Sequence, residues 1–99
     1  MKTYHVYILK CNDDSFYTGV TSSLENRYIK HQVGYYRNCY TFSRRPVELV
    51  FAQAYFSILQ AIEFEKKIKG WSRRKKIALI NDNWDDIIKF SRNYTQFGK

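Results

Sequence analysis

Two runs rich in aromatic and β-branched residues, Thr3 to Cys11 and Phe16 to Val20, flank the turn-forming segment Asn12-Asp13-Asp14-Ser15. A chain with that pattern folds back on itself, because the short polar residues accept turn geometry while the flanking runs suit a pleated surface. The hairpin puts Tyr7 and Tyr17 on paired strands. Ser22-Ser23-Leu24-Glu25 has the spacing of a capping box, which predicts a helix to about Gln32, with Gly34 suited to its C-terminal cap.

Residues 34 to 46 contain the only proline, Pro46, and no apolar period, so they read as a loop. Val47 to Tyr55 reads as a third strand. Ser57-Ile58-Leu59-Gln60 repeats the capping pattern and opens a helix through Lys69, which Gly70 ends. Ser72 is placed to cap a third helix to about Asn81, and Trp84 to Arg92 forms a short closing one. The order strand, strand, helix, strand, helix, helix predicts an α+β, sandwich-like fold with a small three-stranded antiparallel sheet flanked by helices. The 99 residues suffice for one domain, with a core over about 4–81 and a helical extension over 82–99.

Charge points to the partner. Seventeen Lys and Arg against nine Asp and Glu give a net charge of +8, and seven of the eleven residues from Lys66 to Lys76 are basic. Lys66, Lys67, Lys69, Arg73, Arg74, Lys75 and Lys76 together have the electrostatic footprint of a phosphate-backbone site. The same block would serve an anionic membrane surface, but nucleic acid is the preferred partner. No apolar leader follows the first residues and no stretch reaches transmembrane length. Cys11 and Cys39 form neither a metal spacing nor a disulfide framework, so the chain reads as cytoplasmic with reduced thiols. No obligate protein partner is evident.

Polar residues sit where apolar ones belong. Ile58, Ala61, Ile62, Glu65 and Ile68 share one face of the second helix, so the Glu65 carboxylate points toward the core, whereas Glu63 falls on the solvent side. A core-facing carboxylate is costly unless paired, hydrogen-bonded or metal-bound; the spacing favours a structural ion pair and a functional carboxylate about equally. Leu24, Arg27, Tyr28 and His31 share a face of the first helix. Arg27 can donate two bonds to a phosphate through its planar fork, and His31 titrates near neutrality. Together with the tyrosines these groups suit phosphodiester hydrolysis, in which one divalent ion held by a single carboxylate and water can meet charge on the phosphate. Mg²⁺ or Mn²⁺ is the expected cofactor; no tetrahedral zinc set is present.

Val6-Tyr7-Ile8 and Tyr17-Thr18-Gly19, followed by Arg27, His31 and Glu65, resemble the GIY-YIG nuclease superfamily, and specifically its small stand-alone members. Arg44-Arg45-Pro46-Val47-Glu48-Leu49-Val50 and Glu65-Lys66-Lys67-Ile68-Lys69-Gly70-Trp71 extend the resemblance over roughly residues 4 to 81. It implies Tyr17 as general base with Tyr7 assisting, Arg27 on the phosphate, His31 one turn later, Glu65 on the metal, and Gly19 small so that backbone and substrate approach closely. Two positions depart from the pattern: Val20 stands where many members carry lysine, and Ile77 near a frequent asparagine.

The expected activity is a metal-dependent endonuclease acting on DNA, with RNA as an alternative substrate. Most relatives with target-choosing biology carry an attached domain; this chain shows none, which points to structure-selective or single-strand cleavage. Tyr35, Tyr36, Tyr40 and Phe42 could stack on unpaired bases while Arg37, Arg44 and Arg45 track the backbone, or the rings could close the core beneath the loop. The competing function is a non-catalytic nucleic-acid-binding module on a degenerate nuclease fold.

Overall fold

The computed structural model describes residues 2–81. Strands β1 (Tyr4–Lys10) and β2 (Phe16–Thr21) form the hairpin, with Tyr7 opposite Gly19 and Leu9 opposite Tyr17. Its turn closes when the Cys11 N–H donates to the Ser15 carbonyl at 2.8 Å. Asp14 takes a φ of 69° there, a left-handed value that a short Asp tolerates better than most residues. Strand β3 (Glu48–Tyr55) pairs antiparallel with the other side of β1, so the strand order is β2-β1-β3. Val6, Tyr7, Ile8 and Leu9 of the central strand are buried.

Successive strand residues point to opposite faces. Tyr7 and Leu9 therefore share a face with Tyr17 and Gly19, while Val6 and Ile8 take the other. Helix α1 (Leu24–Val33) covers the first face, where Leu24 and Tyr28 pack on Tyr7, Leu9, Cys11 and Val47. Helix α2 (Ile58–Lys69) covers the second. Its Phe64 ring lies 6.5 Å from Phe51 and 5.8 Å from Tyr55, the residues that pair with Ile8 and Tyr4. Helix α3 (Arg73–Ile80) belongs to a second compact unit that begins at Gly70.

Two of the three capping patterns act as their spacing predicts. The Ser57 hydroxyl accepts the Gln60 N–H at 3.3 Å, and the Ser72 hydroxyl accepts the Lys75 N–H at 3.3 Å. At α1 the arrangement differs: Ser23 holds the N-cap position without a side-chain bond, and the Thr21 hydroxyl instead accepts the Ser23 N–H at 3.0 Å. Gly34 ends α1 at φ 80°, as a left-handed cap requires. The loop that follows contains a short 3₁₀ turn, Phe42–Arg44. The helix expected over Trp84 to Arg92 lies outside the described residues.

Candidate active site

The Tyr7 ring crosses the sheet over its pairing partner, Gly19. A Cβ at Gly19 would fall 2.5 Å from both Cζ and the hydroxyl oxygen of Tyr7. Its smallness therefore admits the Tyr7 ring, where the resemblance implied room for substrate. Arg27 and His31 leave α1 one turn apart toward this ring, because residues four apart stack on one helical face. His31 Nε2 lies 2.9 Å from the Tyr7 hydroxyl, and His31 Nδ1 lies 2.9 Å from Thr41 Oγ1. The Thr41 hydroxyl in turn donates to Cys39 Sγ at 3.5 Å. Tyr7, His31 and Thr41 are 1%, 2% and 1% exposed, so this chain of polar groups is sealed from water. Tyr17 is half-buried beside it, its ring 5.2 Å from His31 and 6.3 Å from Tyr7.

Burial dominates the proton affinities. It pushes the Tyr7 hydroxyl up to about 12, against the charge of Arg27 and the hydrogen bond Arg27 makes to it. Tyr17 is raised as well, by burial first and then by its hydrogen bond with the Cys39 sulfur. Burial, assisted by Arg27, lowers His31 to about 4. At neutral pH the tyrosines keep their protons and the imidazole is uncharged, which leaves one of its nitrogens free to accept. Burial raises the Cys39 thiol, but hydrogen bonds from Thr41, Tyr17 and the Tyr40 backbone outweigh it and bring the thiol below its ordinary value.

The loop after α1 walls the cluster. Tyr36 lies 5.0 Å from His31 with the Arg27 guanidinium 5.3 Å over its ring. Tyr40 stacks on Tyr17 at 6.5 Å with 17° between planes, and Arg44 sits 3.7 Å over the Tyr40 ring. Arg44 also donates to Asp13 at 3.1 Å and to the Tyr40 carbonyl at 2.8 Å. Arg45 donates to the Phe42 carbonyl at 2.8 Å and covers the Phe42 ring at 4.5 Å. These two arginines are thus engaged in folding the loop. Tyr35 and Tyr40 both face solvent, 64% and 44% exposed, and Lys30 lies 4.7 Å over the Tyr35 ring. The place of Thr41 and Cys39 beside His31 was not readable beforehand, because no period links either residue to it.

Four of the expected residues, Tyr7, Tyr17, Arg27 and His31, come together. Glu65 lies on the buried stripe of α2 with Ala61 and Ile68, on the helix whose Phe64 packs against Phe51 and Tyr55 of β3. Its carboxylate is 2.7 Å from Lys69 Nζ, one turn on. Among the described residues no three His, Cys, Asp or Glu groups converge on a metal-sized point. A single inward carboxylate still fits a Mg²⁺-like ion that keeps most of its water, with Lys69, an exposed and long side chain, free to swing aside. Of the basic block, Lys66 and Lys69 end α2 while Arg73, Arg74, Lys75 and Lys76 lie on α3 in the second unit. A cleft of about 320 Å³ is lined by Lys10, Asn12, Asp14 and Pro46; none of the clustered tyrosine, histidine or arginine residues borders it.

Residues 3–78 match the GIY-YIG catalytic domain. UPF0213 protein SSP2268 of Staphylococcus saprophyticus is 42% identical over 82 residues, covering 83% of this chain and 99% of the relative. A UPF0213 protein of Syntrophus aciditrophicus is 42% identical over 83 residues, covering 84% and 95%. The solution NMR structure of the UPF0213 protein BH0048 of Bacillus halodurans superposes with a TM-score of 0.54 at 35% identity, covering 94% of this chain and 98% of that one.

Proposed function

The chain belongs to the GIY-YIG family, a nuclease superfamily, and from that premise we propose that it is a divalent-metal-dependent endonuclease that hydrolyses phosphodiester bonds in DNA. The observation that carries the proposal is the Tyr7 hydroxyl set between the Arg27 guanidinium and His31 Nε2, the latter at 2.9 Å. Hydrolysis needs a water to lose its proton while charge grows on the phosphate. Tyr7 takes that proton as its own passes to the uncharged His31. Arg27, at the mouth of the cluster, meets the non-bridging oxygens and moves toward them when the phosphate binds, uncovering Tyr7. Tyr17, more exposed, orients the water; the bond to His31 favours Tyr7 for the base role that the resemblance gives to Tyr17. Glu65 would hold the Mg²⁺ or Mn²⁺ ion, which when bound supplies positive charge to the phosphate and the leaving oxygen. Tyr35 is open to an unpaired base, which supports single-strand or structure-selective cleavage over recognition of a duplex sequence.

The test incubates wild type, Glu65→Ala, Tyr7→Phe and Tyr17→Phe with labelled single-stranded, duplex and branched DNA in Mn²⁺, Mg²⁺ or chelator. Metal-dependent cutting that disappears in Glu65→Ala and Tyr7→Phe is the expected result. A folded wild type that cuts neither DNA nor RNA with either metal would sink the proposal. A near-silent Tyr7→Phe beside a dead Tyr17→Phe would return the base role to Tyr17. The Glu65–Lys69 pair favours one second reading: a binding module whose carboxylate is already neutralised. Wild type and Glu65→Ala would then bind alike and neither would cut.

A further inference from the structure

We propose that Thr41 is a positioning residue for this site: it holds His31 with the proton on Nδ1, so that Nε2 is left as the acceptor for the Tyr7 proton. Thr41 has one hydroxyl proton and two candidate acceptors, Cys39 Sγ at 3.5 Å and His31 Nδ1 at 2.9 Å. The Cys39 sulfur is the weaker acceptor but can take this proton, and it does so when His31 Nδ1 carries a proton of its own. With its proton given to sulfur, the Thr41 oxygen can only accept, and the group facing it, Nδ1, must donate.

The other end of the chain agrees. The Tyr7 oxygen already accepts from Arg27. If His31 also donated from Nε2, the Tyr7 proton would have no acceptor among the described residues, in a side chain 1% exposed. A buried donor without a partner is the costlier arrangement. A neutral imidazole has one donor and one acceptor nitrogen, so Thr41, which touches no substrate, decides which nitrogen faces Tyr7.

The rate arm of the test rests on the proposed nuclease reading, and the tautomer arm does not. In protein labelled with ¹⁵N-histidine, His31 is assigned by the signals lost in His31→Gln. Wild type is expected to show a protonated Nδ1 and a bare Nε2. Thr41→Val removes the acceptor and should move the proton to Nε2, lowering kcat by about 10²-fold with KM for DNA unchanged. Thr41→Ser should restore the wild-type pattern and rate to within a few-fold. Should Thr41→Val not fold, Cys39→Ala gives the same readout, because a hydroxyl released from sulfur donates to Nδ1 and drives the proton to Nε2. A wild type protonated on Nε2, or a Thr41→Val or Cys39→Ala variant that keeps the wild-type tautomer, overturns the assignment. A wild type with the expected tautomer that cuts no nucleic acid overturns the nuclease reading alone.

Discussion

Gly19→Ala should do more damage than its single methyl suggests, because that methyl would sit 2.5 Å from the Tyr7 ring and hydroxyl. The ring must shift, the bond to His31 breaks, and overpacking costs about 1–3 kcal/mol. Denaturant titration together with the loss of cleavage would check both consequences. His31 makes a second prediction at this scale. Its native pKa of about 4, set by burial and Arg27, lies below that of an unfolded histidine, near ~6.5. The unfolded chain therefore binds more protons between those values, and stability present above about pH 6.5 drains away as pH falls toward 4. At about 1.4 kcal/mol per unit the loss is of the order of 3 kcal/mol. Unfolding curves at pH 7 and pH 4.5 should show this drop in wild type and a smaller one in His31→Gln. Both residues were singled out in the sequence, but for different reasons from those the fold supplies. A tripeptide tells that Gly19 is small; only the strand register tells that Tyr7 needs the space.

At the level of elements, three serines at helix starts looked equivalent and two behave as caps. Ser57→Ala and Ser72→Ala each remove a bond to a helix N–H and should cost about 1 kcal/mol. Ser23→Ala removes none and should cost much less, whereas Thr21→Val, which deletes the acceptor for the Ser23 N–H, should cost as much as a cap. Chemical denaturation of the four variants checks the order. Among the described residues, strand and helix boundaries were readable to within a residue or two because turn residues and caps punctuate this chain densely. The helix-start bond of α1 was not, because it comes from Thr21 at the end of β2, and a four-residue pattern does not register which hydroxyl swings inward. The loop over residues 34–46 was the least readable part. Its order comes from Arg44 and Arg45 lying over Tyr40 and Phe42, contacts that have no period.

Across the whole molecule, a net charge of +8 predicts nucleic-acid binding that weakens steeply with salt, and the individual cations should separate by role. Lys66→Ala should weaken binding to all sequences alike and lower the log–log salt slope by about 1. Arg44→Ala should leave that slope nearly unchanged and instead lower Tm, since Arg44 is held by Asp13 and Tyr40. Fluorescence titrations over a salt series and thermal melts read the two effects. Among the described residues no helix is long and apolar enough to cross a membrane. Local chemistry written into the chain determined the α+β class, the order of elements, the basic character and the pairing of Arg27 with His31, since periodicity, caps and turns act between residues a few positions apart. Tertiary structure alone decided that the Tyr7 hydroxyl rather than that of Tyr17 is hydrogen-bonded to His31, that Thr41 and Cys39 extend that chain of hydrogen bonds, and that Glu65 lies on the buried stripe of α2 beside Lys69. Those outcomes depend on which face of β1 each helix covers and on strand register, relations between residues distant in sequence that only the packed chain brings within hydrogen-bond reach.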